Sequence, residues 1–204
     1  MEPPTPAENV YLPAGGDPAV IVRWIGQNVS DGDYTRRVLF VPSTNHFDAR
    51  DDAVKVYGGN GNIGTNKSPG VTRGGPVFAF APDIQLLGYA LQAADGVLLA
   101  VAAHADEEIA GWVAATKALN VLTGERHPGV PDDNHEALVD LEDAGYNGYH
   151  SPGAFLLAKC GEPVTILREA GYSYRFVAGY LLALGSPPRR LGEDLKKIYQ
   201  RSYN

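Results

Sequence analysis

The sequence predicts an α/β fold, in which a small three-layer body with a mainly parallel sheet is followed by an all-helical C-terminal subdomain. Short runs such as residues 76–81 and 97–103 are apolar on both faces, as strands buried in a parallel sheet are. Segments with a helical spacing of apolar residues follow both runs. Beyond residue 131 only helical patterns remain.

The composition narrows the class of protein. Of the 204 residues, 44% are hydrophobic and 20% are charged, so the chain is expected to fold around a core. The single cysteine, Cys160, excludes an internal disulfide framework and a cysteine-rich zinc site, and we expect it to be a buried small hydrophobe. No apolar run reaches the roughly 20 residues that span a bilayer, and the first residues lack the features of a secretory signal. We therefore expect a cytoplasmic protein that makes no contact with a membrane.

The first 42 residues predict an arm, a helix, a turn and a strand, in that order. Residues 1–16 are rich in proline and predict a mobile arm. A helix is expected next, with Asp17 as its cap and Pro18 at its first position. Residues 30–33 predict a turn, and residues 37–42 predict a buried strand. The α/β body is expected to span residues 17–130.

Residues 44–75 form a long connection with little periodicity. Residues 54–57 resemble a short strand, and the remainder is rich in glycine. A connection of this length in a compact domain is usually functional, or it becomes ordered when a ligand binds.

A formal G-x-G-x-x-G pattern falls at Gly59, Gly61 and Gly64 within this connection. In dinucleotide-binding proteins such glycines follow a strand and open a helix, whose N-terminus holds the pyrophosphate. No helical pattern follows here, so a flexible loop is the better prediction. Its amides, together with Lys67, could close over an anion.

The second half of the body alternates between strands and helices. Residues 76–81 predict a strand, Asp83 caps a helix that runs to about residue 94, and a second strand follows at residues 97–103. A helix with acidic residues in its first turn is expected from Asp106, and an edge strand is expected near residues 120–124. This alternation indicates a parallel sheet with right-handed crossovers.

Two H-x-D sequences follow predicted strands. His46 and Asp48 follow the first strand, and His104 and Asp106 follow the third. Both pairs should emerge at the carboxyl edge of the sheet, where ligands bind if the strands are neighbours at a switch point. They could line a site for a small polar or nucleotide-like ligand, they could hold a divalent metal that activates water, or they could supply an acid/base pair. The alternative for Asp106 is a helix cap, and for Asp48 a turn.

The C-terminal subdomain, residues 131–204, is expected to be helical, and its charge differs from that of the body. Residues 1–158 carry nine Lys and Arg against 20 Asp and Glu, whereas residues 159–204 carry eight against four. We expect this basic end to contact a protein partner, a second copy of the chain or nucleic acid. The candidate contact residues are Arg175, Arg189, Arg190, Lys196 and Lys197. Helices are predicted at residues 132–144, 155–160, 164–170, 174–184 and 188–200.

Residues 166–178 read Ile-Leu-Arg-Glu-Ala-Gly-Tyr-Ser-Tyr-Arg-Phe-Val-Ala. This segment resembles the first two helices of helix-turn-helix DNA-binding modules. The resemblance implies that the helix after Pro188 is a recognition helix, and that Arg189 and Arg190 face phosphates; nucleic acid would then bind through residues 163–201. The alternative is an ordinary bundle of amphipathic helices.

Three hypotheses about function follow. The first is a non-enzymatic regulatory or interaction protein, with a ligand crevice at the sheet edge and a partner surface at the helical end. The second is a metal-dependent hydrolase that uses the two H-x-D pairs. The third is a DNA-binding protein. No nucleophile elbow, P-loop or zinc-protease motif is present, so no catalytic residues and no cofactor are predicted.

Overall fold

A computed structural model describes residues 8–43, 52–149 and 153–201. This part of the chain contains a six-stranded parallel sheet and nine α-helices, which confirms the predicted α/β class with a helical C-terminal part. The chain divides into two compact units. The first extends to Asp106 and includes residues 117–127, and the second comprises residues 107–116 and all residues from Pro128 onward.

The sheet lies in the first unit, and all of its strands are parallel. Their order across the sheet is β3-β2-β4-β5-β1-β6. The first strand of the chain therefore lies between β5 and β6, and its residue Asn9 is in register with Leu99 of β5. The strands are β1 Asn9–Leu12, β2 Val38–Phe40, β3 Ile63–Gly64, β4 Val77–Phe80, β5 Leu99–Ala102 and β6 Leu119–Asn120.

The helices α1 and α4 begin where the sequence predicts. The Asp17 carboxylate accepts a hydrogen bond from the Ala19 amide at 2.9 Å, and the Asp83 carboxylate accepts one from the Leu86 amide at 2.8 Å. Each carboxylate satisfies an amide that has no partner within its helix, which fixes the start of the helix. The helices of the sheet region are α1 Pro18–Asn28, α2 Asp31–Thr35, α3 Asp52–Tyr57, α4 Ile84–Ala93 and α5 Asp106–Thr116.

Helices cover both faces of the sheet. The crossovers after β1 and β2 lead toward β3, whereas the crossover after β4 leads toward β6. Right-handed connections therefore place α1 and α3 on one face and α4 on the other. On the first face, Ile21 and Ile25 of α1 and Tyr57 of α3 pack with strand residues such as Leu12 and Phe78 in one buried cluster.

Three predictions for the first unit are wrong. Residues 9–12 form the interior strand β1, although residues 1–16 were expected to be an arm. Residues 54–57 belong to helix α3 and do not form a strand. The prediction failed because a run of four residues is too short for the spacing of its apolar residues to distinguish a strand from a helix. The predicted turn at residues 30–33 opens the short helix α2, whose cap is Ser30.

The second unit contains four further helices. They are α6 Asp132–Ala144, α7 Ala154–Glu169, α8 Tyr174–Leu184 and α9 Glu193–Gln200. The two helices predicted at residues 155–160 and 164–170 are one continuous helix, which includes Gly161 and Pro163. The single helix predicted at residues 188–200 is divided into a 3-10 turn, Pro188–Arg190, and α9.

Residues 107–116 of α5 belong to this unit, and Gly111 shows why. A Cβ atom at position 111 would lie 1.8 Å from the carbonyl oxygen of Phe176 in α8. The two helices therefore approach each other more closely than any side chain at position 111 would permit. No helix among the described residues has the length and apolarity that a membrane span requires.

Candidate functional site

The strand order creates two switch points at the carboxyl edge of the sheet. The chain leaves β2 toward β3 and its neighbour β4 toward β6, so these two crossovers diverge. The crossovers after β5 and β1 also run in opposite directions, toward β6 and toward β3, but each passes across the other strand; because both are right-handed, they do so on opposite faces of the sheet. Where the loops after neighbouring strands leave in opposite directions, a crevice opens beyond the strand ends, and ligands of open α/β sheets bind there. The first unit therefore has two candidate crevices, one between β2 and β4 and one between β5 and β1.

A hydrogen bond to a side chain joins the two sides of the crevice between β5 and β1. The backbone amide of Ala14, in the loop after β1, donates to the Asp106 carboxylate at 2.8 Å. Asp106 follows β5, so this bond joins the loops that leave the two neighbouring strands. His104, between β5 and Asp106, is exposed. The structure thus brings His104 and Asp106 to a switch point, as the sequence predicts for this pair.

The loop from β1 to α1 contains two adjacent glycines. Gly15 has a φ of +79° and open space around it, a conformation that favours glycine. A Cβ atom on Gly16 would lie 2.6 Å from Cδ1 of Leu12, whose side chain is buried. Strand, Gly-Gly loop and helix follow each other directly here. This is the arrangement that the Gly59–Gly64 pattern was expected to lack, and it occurs in the segment read as an arm.

Acidic groups set the charge of this crevice. Asp17 is exposed and uses one carboxylate oxygen to cap α1, and Asp106 is exposed and uses one oxygen to hold Ala14. Each second oxygen can accept a hydrogen bond from a ligand. Two carboxylates disfavour a phosphate and favour hydroxyl or amino groups.

The crevice between β2 and β4 adds an unsatisfied polar atom. Asn66, just after β3, donates from its side-chain amide to the Asp83 carboxylate at 2.8 Å. The side-chain oxygen of Asn66 is buried and has no partner within the described chain. A buried acceptor without a donor costs about 1–3 kcal/mol, which a ligand donor could recover. Beside it, Lys67 is exposed, and Ala81 after β4 has a φ of +49°, a rare conformation for a residue with a side chain.

The structure does not bring the two H-x-D strands together as neighbours. His46 and Asp48 lie outside the described residues, but the strand they follow, β2, is separated from β5 by β4. The condition of adjacent strands, on which the shared site depended, is therefore not met. In the described ranges no group of three or more His, Cys, Asp or Glu side chains could hold a metal ion.

The G-x-G-x-x-G pattern begins after a helix and ends in a strand, whereas a dinucleotide fingerprint begins after a strand and ends in a helix. Gly59 and Gly61 follow helix α3 and precede strand β3, so they lie at the amino edge of the sheet. Gly64 is inside β3, where a Cβ atom would lie 2.4 Å from the ring of Phe40. Gly59 and Gly61 therefore lie at the opposite edge of the sheet from His104, and the need for glycine at position 64 is explained by packing against Phe40.

Residues 166–178, which resemble a helix-turn-helix module, lie at the end of α7 and the start of α8, and residues 170–173 join these two helices. Ser173 caps α8 by accepting a hydrogen bond from the Phe176 amide at 3.2 Å. Arg189 and Arg190 lie in the 3-10 turn that precedes α9. The first turn of α9 carries Glu193 and Asp194, at the end where a recognition helix approaches DNA.

The remaining basic candidates already have partners. Arg175 forms an ion pair with Glu107. The ammonium groups of Lys196 and Lys197 lie 3.3 and 3.4 Å from carboxylate oxygens one helical turn earlier, those of Glu193 and Asp194 respectively. Exposed pairs of this kind contribute little stability, and they also reduce the free positive charge of the surface.

Several residues of the two crevices were not predicted as site residues. Gly15, Gly16 and Asn66 can be recognised only from the structure, because their importance depends on neighbouring strands that are distant in sequence. The sequence identifies Asp17 and Asp83 as helix caps. It does not mark them as site residues, because that requires knowledge of which strands are neighbours. No family of proteins, curated protein or solved structure matches this chain. The geometry of the two switch points is therefore what supports a function.

Proposed function

We propose that the protein is a non-enzymatic regulatory or interaction protein, which binds a small polar or nucleotide-like ligand at the carboxyl edge of its sheet and a macromolecular partner through its helical end. The observation that carries the ligand site is the switch point between β5 and β1. There the Gly15-Gly16 loop precedes a helix and is joined by Asp106 to the end of the neighbouring strand.

The charge of the crevice between β5 and β1 indicates which ligand groups it favours. In dinucleotide-binding α/β proteins an acidic side chain of the site accepts a hydrogen bond from a ribose hydroxyl. Asp17 and Asp106 each have one oxygen that can do so, and the exposed His104 lies shortly before Asp106 in the loop after β5. A nucleoside fits this crevice better than a phosphate does, because a phosphate would meet two negative charges.

The regulatory reading is supported by what the carboxylates already do. Asp17 caps α1, Asp83 caps α4 and Asp106 joins two loops. These hydrogen bonds fix the loops and helix ends at the carboxyl edge of the sheet. A ligand that hydrogen-bonds to the same carboxylates would stabilise the folded state. Such a ligand can shift the equilibrium toward the conformation that binds a partner.

The nucleoside site can be tested with adenosine as the probe. Titration calorimetry should show saturable binding to the whole protein. Asp106→Asn keeps an oxygen for the Ala14 amide but loses the charge, and it should weaken adenosine binding about ten-fold, in line with the strength of hydrogen bonds to charged groups.

The matched control is Asp95→Asn, since Asp95 is exposed and precedes β5 at the amino edge of the sheet. This variant should bind adenosine as the wild type does. Equal affinity in the wild type and Asp106→Asn, or no saturation at millimolar adenosine, would refute the assignment of the ligand site.

The partner surface is proposed from the basic end of the chain, and a second copy is the partner that can be tested first. Light scattering after gel filtration should give a mass above that of the 21.8 kDa monomer as concentration rises. A monomer at all concentrations leaves only a heterologous protein or nucleic acid as partner of this surface.

A further inference from the structure

The second unit contains a cavity of about 330 Å³ that is separate from both crevices of the sheet. One side is formed by Asn147, Gly148 and Tyr149, which follow α6, and the other by the segment from Arg189 to Asp194. Small-molecule sites range from about 300 to 1,000 Å³, so this cavity falls at the lower end of that range.

Two guanidinium groups line the cavity without a counter-ion. Neither Arg189 nor Arg190 forms an ion pair within the described part of the chain. The Arg190 guanidinium carbon lies 5.6 Å from the ring centroid of Tyr146, which holds it beside the cavity. Arginine presents its donors in a planar fork that matches the oxygens of a phosphate.

The acidic residues of the cavity wall do not cancel this charge. Glu193 and Asp194 also line the cavity, but each has a lysine within 3.4 Å of its carboxylate. The two lysines offset the two carboxylates, and the charge that remains belongs to Arg189 and Arg190. Tyr149 is buried and donates its hydroxyl hydrogen to the Leu141 carbonyl at 2.7 Å, so its oxygen can only accept a further bond.

We propose that this cavity binds a small phosphate-bearing ligand, with Arg189 and Arg190 as the groups that hold the phosphate. The ligand is inorganic phosphate or the monoester of a small molecule, since both present the same dianionic group. This role differs from the duplex contact that the helix-turn-helix resemblance implies for these arginines. It is independent of the nucleoside site in the other unit.

The test uses the full chain and three probes: inorganic phosphate, glycerol 3-phosphate and adenosine. Phosphate and glycerol 3-phosphate should bind saturably at constant ionic strength, and Arg189→Gln and Arg190→Gln should each weaken both about ten-fold. Arg23→Gln removes an exposed arginine from α1 in the first unit and should leave the affinity for phosphate unchanged. Adenosine binding should be the same in all three variants, which separates this site from the sheet edge.

Two further variants test the charge of the cavity wall and the shape of the donor group. Glu193→Gln takes away a negative charge at the cavity wall and should strengthen phosphate binding two- to three-fold, while Arg190→Lys should recover only part of the lost affinity. A circular dichroism spectrum identical to that of the wild type confirms that each variant is folded.

Two results would overturn the proposal. One is phosphate binding that does not saturate, or that is equal in wild type and the Arg189→Gln/Arg190→Gln double variant. The other is binding of a 20-base-pair duplex at about 50 mM salt that depends on both arginines while phosphate does not saturate, because this would assign the arginines to nucleic acid.

Discussion

At the scale of single residues, Arg37 shows how one side chain links elements that are distant in sequence. Its Nε donates to the Tyr57 carbonyl at 2.6 Å, and its NH1 donates to the Tyr34 carbonyl at 3.2 Å. The guanidinium carbon also lies 4.7 Å from the Tyr34 ring centroid. Arg37 precedes β2 and binds a carbonyl at the C-terminal end of α3, where a positive charge is favoured.

Replacing Arg37 should therefore destabilise the protein. We expect Arg37→Ala to lower the free energy of unfolding by about 2 kcal/mol and Arg37→Lys by about 1 kcal/mol, since lysine keeps the charge but not the fork of donors. Arg36→Ala is the control and should change stability by less than about 0.5 kcal/mol, because the pair of Arg36 with Asp33 is exposed. Urea denaturation measures all three, and equal losses for Arg36 and Arg37 would contradict this account.

Cys160 gives a second test at this scale. Its side chain is fully buried in α7, as the sequence predicts, and burial raises the pKa of the Cys160 thiol to about 11. Because the reactive form is the thiolate, the thiol should resist Ellman's reagent at pH 8 in the folded protein and react at once in denaturant. Stoichiometric reaction of the native protein within seconds would show that Cys160 is accessible.

A pH dependence is expected from His127, a half-buried residue. Burial lowers the pKa of the His127 imidazole below its usual value near 6.5. The unfolded state then binds a proton more readily than the folded state, so the contribution to stability is present above pH 6.5 and is lost as the pH falls through the lower folded pKa. His127→Gln should flatten the change in melting temperature between pH 7 and pH 5, and an unchanged slope would contradict the prediction.

At the scale of elements, the crossing of α5 and α8 depends on a glycine. A Cβ atom on Gly111 would overlap the Phe176 carbonyl, so the helices would have to separate. We expect Gly111→Ala to lower the free energy of unfolding by about 3 kcal/mol.

The matched change is Gly26→Ala in α1, where the nearest atom to a new Cβ is 3.9 Å away. There alanine should stabilise the helix by about 0.5–1 kcal/mol, since glycine is the poorer helix former. Thermal unfolding of the two variants should move in opposite directions. A loss at Gly26 equal to that at Gly111 would contradict this account, because the crossing of α5 and α8 would then not distinguish the two positions.

The sequence predicts the elements that carry a local signal and misses those that do not. Helices α1 and α4 carry capping residues and helical periodicity, and β2, β4 and β5 lie in continuous apolar runs. The missed strands β1 and β3 have four and two residues and follow a proline-rich and a glycine-rich segment, so no apolar run or period marks them. In α7, Gly161 predicts the end of a helix, but the helix continues through Gly161 and Pro163, and Pro163 is buried by tertiary packing.

The candidate site could be predicted only in part for the same reason. His104 and Asp106 follow a strand with a strong signal, and they do lie at a switch point. The Gly15-Gly16 loop is recognised only when β1 is known to be a strand between β5 and β6. Strand order depends on pairing between residues far apart in sequence, which no local pattern records.

At the scale of the whole molecule, the sheet depends on its N-terminal strand. Val10 and Leu12 of β1 are buried, and β1 pairs with β5 on one side and β6 on the other. Deletion of residues 1–16 should therefore abolish cooperative thermal unfolding, while deletion of residues 1–7 leaves β1 in the chain and should retain it. A cooperative transition in the longer deletion would show that the sheet closes without β1.

The interior position of β1 also has a consequence for synthesis on the ribosome. Its partner β5 is translated about 90 residues later, because Asn9 pairs with Leu99. At about 5–20 residues per second, the first strand waits on the order of 5 to 20 s before its neighbour exists. During that interval the apolar side chains of β1 cannot form their native contacts with β5. We therefore expect this protein to depend more strongly on chaperones that bind emerging chains than a protein whose strands pair in the order of their translation.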